Sequence, residues 1–176
     1  MKKIYILVFI TLWIISCNTR PSNQTDEQTA PILEKAIDTT PKITGIGGIF
    51  FKAENPDQVK EWYNKNLGLK VDDFGAPFEF RNANRPDETN YLNWDAFVDS
   101  TSYFNPSQKQ FMINYRVQNL EGLVRNLKQN GVTILDEMVT VEYGKFIHIM
   151  DLEGNKIELW EPVDSVLMQL GRDANK

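Results

Sequence analysis

A strand followed by a helix occurs twice in this chain, and the two copies coincide under a single shift. The first opens with the apolar, β-prone run of residues 46–53. Asn55 then offers a capping side chain, and Pro56 suits the first helical turn, where no amide donor is missed. Val59, Trp62, Tyr63 and Leu67 follow at helical spacing, and Gly68 supplies the stop. The second copy opens with residues 111–117. Asn119 caps, Leu120, Leu123, Val124 and Leu127 form the stripe, and Gly131 ends it. One shift lays Asn55 on Asn119, Val59 on Leu123 and Tyr63 on Leu127, with Gly68 a single position from Gly131.

Each copy is followed by strand-like runs. These are residues 69–72, 77–81 and 91–98 in the first half, and 132–138, 145–150 and 156–161 in the second. The reading is βαβββ twice, an α+β domain over residues 43–163 with modules at about 43–99 and 108–163. A unit of this kind buries its apolar face only by pairing with its twin. Ser165 to Leu170 reads as a short amphipathic helix in a C-terminal tail, residues 164–176, docking on the sheet.

The charge balance excludes one class of partner. Lys and Arg number 19 against 24 Asp and Glu, a net charge of −5, so a nucleic-acid partner, which needs clustered cations, is not expected. A single Cys and a single His exclude an intramolecular disulfide, a Cys-rich metal site and any site that needs two imidazoles.

The N-terminus reads as an address. Lys2 and Lys3 precede an apolar run over residues 4–15, shorter than the roughly 20 residues of a comfortable span. It ends in Ile14-Ile15-Ser16-Cys17, which resembles the lipobox of bacterial lipoproteins. The resemblance implies a signal peptide over residues 1–16, a diacylglycerol on Cys17 and a lipid-anchored protein of the bacterial cell envelope. An ordinary signal peptide with an incidental Cys, or an uncleaved anchor, are the alternatives. Residues 17–42, rich in Thr, Pro, Asn, Gln and Asp, read as a tether or, alternatively, as an arm lying on the domain.

Three segments carry a second resemblance. Gly48-Ile49-Phe50-Phe51-Lys52 leads through Trp62-Tyr63 to Leu67-Gly68. Phe111-Met112-Ile113-Asn114-Tyr115-Arg116-Val117 is followed by Asn119-Leu120. Asp151-Leu152-Glu153-Gly154-Asn155-Lys156-Ile157-Glu158-Leu159 is similar to a "DPxGNxxEL" hairpin, with Leu152 in the place of Pro. Together they resemble the vicinal oxygen chelate superfamily, the glyoxalase/bleomycin-resistance/dioxygenase domains. The resemblance implies two βαβββ modules whose curved sheets enclose a cavity, with a divalent metal there in family enzymes. Carried across, its ligand positions fall on Gly48, Met112 and Glu158, with Asp95, in the stretch from Asn93 to Asp95, as a further oxygen. Glycine has nothing to offer and a thioether is a poor ligand for a hard cation, so no cofactor is expected and any divalent metal would be held weakly.

Strand alternation adds candidates. Phe146, His148 and Met150 share one face, with Ile147 and Ile149 on the other, toward a helix. His148 is then a metal ligand, an acid/base or hydrogen-bonding group, or a lining residue. Glu158 reads as a general base or polar anchor whose pKa desolvation would raise, or as a carboxylate paired with Arg116 or Lys52. Phe50, Lys52, Trp94, Asn114, Arg116 and Trp160 complete an aromatic pocket with a few polar groups. Tyr143, before Gly144, either closes over a ligand or sits in a hairpin turn.

Two functions lead, ahead of a structural or protein-interaction role. One is a binding protein for a small apolar or aromatic molecule in a metal-poor cavity. The other is a lyase or isomerase using Glu158, with or without His148 and a metal. A homodimer is admitted, since dimers are common in the resembled family.

Overall fold

The computed structural model describes residues 38–83, 85–169 and 174–175. The signal peptide, Cys17 and residues 17–37 of the tether lie outside the described residues. No helix among those described is long and apolar enough to cross a membrane.

Twelve residues, Lys42–Ala53, form β1. Helix α1 spans Pro56–Leu67, β2 spans Ala76–Arg81 and β3 spans Thr89–Val98. The second half follows with β4 (Phe111–Gln118), α2 (Leu120–Gln129), β5 (Thr133–Ile134), β6 (Val139–Val141), β7 (Gly144–Met150) and β8 (Lys156–Pro162). A last helix, α3, covers Asp164–Gln169.

Local chemistry sets the helix ends. The Asn55 side chain accepts from the Gln58 amide at 3.1 Å, and Pro56 stands in the first turn. Gly68 adopts φ 69°, and its amide and that of Leu69 return to the carbonyls of Asn64 and Tyr63. That left-handed geometry is one only glycine takes without strain. Asn119 caps α2 through the Gly122 amide at 3.0 Å.

The strands make one mixed sheet in the order β2-β3-β1-β4-β8-β7-β5, with β6 alongside β7. In each half the first strand runs parallel to the last, β1 with β3 and β4 with β8. The halves join through an antiparallel β1–β4 seam. One sheet face carries α2, where Val117, Leu120, Val124, Ile147, Ile149 and Leu159 bury together. On the same side of the first half, Tyr63 of α1 packs on Trp94, ring centroids 4.6 Å apart. The other face carries Phe50, Phe104 and Met112, with Phe97 against them.

Two of the expected strands depart from the sequence reading. Residues 69–72 make no strand, only an isolated bridge between Asp72 and Gly75. The outer edge of β2 is met instead by Asn175, whose amide donates to the Pro77 carbonyl at 2.7 Å and whose carbonyl accepts from Glu79 at 3.1 Å. Residues 132–138 give only the two-residue β5; beyond it the Leu135 amide donates to the His148 carbonyl, while the Asp136 side chain, not its backbone, takes the His148 amide. At the other end, Thr39 and Thr40 of the expected tether accept from the side chains of Asn119 and Gln118. α3 buries none of its described residues, but its Asp164 meets the sheet at Arg116 of β4 and Asn90 of β3; Leu170 lies outside the described residues.

Candidate functional site

Register draws a row of residues across the sheet. Gly48 pairs with Asn93 on one side and Asn114 on the other. Asn114 pairs with Glu158, and Glu158 with His148. Paired residues project to the same face, so this row runs along the face opposite α2.

Glu158 is the centre of the row and only 4% exposed. Asn114 Nδ2 donates to its Oε1 at 2.7 Å. His148 Nε2 lies 3.0 Å from Oε2, and the Tyr103 hydroxyl donates to the same oxygen. Burial pushes the carboxyl up, but the hydrogen bonds from His148, Tyr103 and Asn114 outweigh it and hold Glu158 below its ordinary value. The rise expected from desolvation alone is therefore corrected. So is the expected pairing with Arg116 or Lys52: the donors at Glu158 are neutral side chains and the imidazole.

Behind His148 stands Asp136. Its Oδ2 lies 2.5 Å from Nδ1, and its Oδ1 accepts from the His148 amide at 2.9 Å. Asp136 half faces solvent, so the series Asp136–His148–Glu158–Tyr103 links the surface to the buried carboxylate.

Tyr103 comes from the segment between β3 and β4. Its ring lies parallel to Phe97, centroids 5.5 Å apart at 6°, and edge-on to His148 at 5.6 Å. Lys156 Nζ sits 5.1 Å from its centroid and donates to its backbone carbonyl at 2.6 Å. Burial first, then the charge of Glu158, raises the Tyr103 pKa, so the phenol stays a donor. Beside it Phe104 is fully buried. The side chains of Phe50, Phe104 and Met112 pack together on this side of the sheet.

The other candidates separate into three groups. Phe50 belongs to the packed cluster, and its ring covers Gly48, where a Cβ would come within 2.5 Å of Cζ. Lys52 sits over the Phe104 ring, 5.6 Å from its centroid. Arg116 and Trp160 form a second polar cluster: Arg116 Nη2 meets Asp164 Oδ2 at 2.5 Å and Nη1 donates to the Tyr91 carbonyl at 2.9 Å. Its guanidinium lies over Trp160 at 5.2 Å, and Trp160 stacks on Phe146. A small polar cleft of about 130 Å³ opens there, lined by Thr44, Arg85, Arg116 and Asp164 among others. Trp94 is on the opposite face, with Tyr63 and Phe51, and does not reach Glu158. Tyr143 packs edge-on against Phe146, and its carbonyl accepts from Trp160 Nε1 at 3.3 Å.

Among solved structures, the methylmalonyl-CoA epimerase of Streptomyces coelicolor, held with 2-nitronate-propionyl-CoA, is similar with a TM-score of 0.51 at 16% identity, over 69% of this chain and 99% of its own. The domain has the glyoxalase-like fold. Two further similarities are a methylmalonyl-CoA epimerase from Mycobacterium tuberculosis (22% identity, 72% and 93% covered, TM-score 0.47) and a glyoxalase/bleomycin resistance protein/dioxygenase superfamily member from Vibrio splendidus 12B01 (12%, 69% and 99%, 0.43). No protein-family model matches the sequence, and no curated protein does.

The metal such domains can hold does not fit the residues at this glyoxalase-like row. Met112 lies off it, opposite Phe50, fully buried in the aromatic cluster; the second-module residue level with Glu158 is Asn114, not Met112. Asn114 turns its NH₂ group, a donor, toward Glu158. Gly48 adds no ligand, and Asp95 is ion-paired with Lys60 at 2.7 Å. Among the described residues no group of three or more His, Cys, Asp or Glu could hold a metal ion. Sequence reasoning missed Tyr103 and Asp136, both off the strands whose alternation identified the rest.

Proposed function

We propose that this glyoxalase-like domain binds a small aromatic molecule, without a metal, on the sheet face that carries Glu158. The observation that carries this reading is a buried carboxylate, Glu158, whose direct ion-pair contact among the described residues is His148 rather than a Lys or Arg, with Lys156 acting on it only from farther off. Burying such a charge costs stability unless donors converge on it, and perturbed carboxylates of this kind cluster at functional sites. A fixed acceptor touched by Tyr103, whose ring stacks on Phe97 beside the Phe50, Phe104 and Met112 cluster, has the composition of a small-molecule site. The lipobox-like Ile14-Ile15-Ser16-Cys17 supports an envelope location: Cys17→Ser should leave the unprocessed precursor, and a mature-size product still in the membrane fraction would refute the anchor.

N-phenyl-1-naphthylamine, an aromatic probe with one N–H donor, tests the reading. Its fluorescence should rise saturably with the purified protein in excess EDTA, and Glu158→Gln should weaken that binding. Absence of saturable binding would refute it.

A second reading is kept because of Asp136. The series from Asp136 through His148 to Glu158 gives a proton a route to solvent, as general acid–base chemistry by a lyase or isomerase would need. Turnover lost in both His148→Gln and Glu158→Gln, with folding intact, would favour it.

A further inference from the structure

Tyr103 is unlike its neighbours in the segment that joins the halves. Phe104 is fully buried, and Ser107 is 3% exposed, its hydroxyl donating to the Gly154 carbonyl at 2.7 Å. Lys156 holds the Tyr103 carbonyl. These contacts pin the backbone of the segment. Tyr103, by contrast, is 39% exposed, and its side chain is held through its ring and hydroxyl. Neither the Ser107 nor the Lys156 hydrogen bond is made by the Tyr103 ring.

What the ring would leave is a seat of defined chemistry. Its floor is the Phe97 face, one wall is the His148 edge, and the Lys156 ammonium lies over it. Its polar end is Glu158 Oε2, an acceptor that retains His148 while Asn114 retains Oε1. An acceptor of this kind takes a neutral O–H donor.

We propose that Tyr103 is a built-in stand-in for the ligand, and that the domain binds a monocyclic phenol which displaces it, donating its hydroxyl to Glu158 and stacking on Phe97. The proposal rests on the binding reading above and supplies its ligand class. A site built to hydrogen-bond a hydroxyl discriminates strongly against the analogue lacking it, because the acceptor is then left unpaired. The tethered competitor also weakens apparent affinity, since only the fraction of molecules with Tyr103 outside can bind.

The experiment uses p-cresol, the Tyr side chain as a free molecule, and toluene, the same shape without the hydroxyl. Wild-type protein carrying ring-labelled tyrosine is titrated with each and followed by NMR. p-Cresol should move the Tyr103 signal saturably to the position of a solvent-exposed tyrosine, and toluene should bind at least about tenfold more weakly. Tyr103→Ala should bind p-cresol at least about tenfold more tightly than wild type. A Tyr103 signal unmoved at saturating p-cresol, or equal affinity for toluene, overturns the proposal while N-phenyl-1-naphthylamine binding leaves the broader reading standing. If neither variant nor wild type binds p-cresol, toluene or N-phenyl-1-naphthylamine, both fall. The wild-type titration decides the matter even if Tyr103→Ala does not fold.

Discussion

A carboxylate in an interior stays ionised only where donors surround it, and at Glu158 there are three. Because its folded pKa is depressed below the ordinary 4.5, Glu158 contributes stability that is present above that value and lost as pH falls through the folded pKa. The groups facing it are His148, Tyr103 and Asn114, with Asp136 behind His148. Glu158→Gln leaves two donors facing an amide NH₂ and should cost about 1–3 kcal/mol near neutrality. Denaturant unfolding should show the gap between wild type and Glu158→Gln narrowing below pH 4.5; a constant gap down to the acid transition would contradict the assignment. Gly47 is a second residue-scale constraint. A Cβ there would collide with Asn114 Oδ1 and come within 2.8 Å of the Trp160 ring. Gly47→Ala should destabilise by about 1–3 kcal/mol, read from the unfolding midpoint. At this scale the strand residues His148, Asn114 and Glu158 were legible, because alternation assigns a face without knowing any partner. Tyr103 and Asp136 were not. Tyr103 reaches Glu158 across 55 positions from an irregular segment, and no periodicity marks such a residue.

Elements were legible where a residue's backbone chemistry settles the matter. Asn55, Gly68, Asn119 and Gly131 punctuate the helices because caps and left-handed turns demand such side chains. The Asp151 hairpin is the same kind of signal. Its carboxylate accepts from the amides of Glu153 and Asn155, so the first part of the motif that pointed to the fold holds a turn together, and the strand after it carries Glu158. Residues 69–72 were misread because β-branched and apolar side chains suit a strand, while a strand needs a partner edge and Asn175 occupies that edge. The Asn175 side chain both accepts from the Lys70 amide and donates to the Lys70 carbonyl, each at 2.9 Å. Such a clasp shields an edge that would otherwise be open to pairing. Asn175→Ala should cost about 1 kcal/mol and speed hydrogen exchange at the Glu79 amide, which donates to the Asn175 carbonyl. Unchanged exchange there would mean that the side-chain clasp is dispensable.

For the whole molecule, the two-fold repeat carried the fold and could not carry the chemistry. Each half places its first strand parallel to its last, and the β1–β4 seam brings Gly48, Asn114 and Glu158 level. A fold of this kind positions groups without dictating which ones they are. Metal binding is where that distinction is measurable. A cation at Glu158 would have to displace the hydrogen bonds from Asn114, His148 and Tyr103, and the row offers it one carboxylate. It would keep most of its water shell and bind weakly. The protein should therefore purify without stoichiometric metal. Adding Mn, Ni or Zn should barely move the melting temperature, whereas a site filled at a hundredfold excess over its dissociation constant would add about 2.7 kcal/mol. Glu158→Gln should change aromatic-probe binding and leave elemental content as it was. One equivalent of a divalent metal in wild type, lost in Glu158→Gln, would overturn the metal-free reading. It would require Tyr103 to swing out and His148 to turn from hydrogen-bond partner to ligand, and a His148→Gln variant with its metal content halved or worse would identify that second ligand.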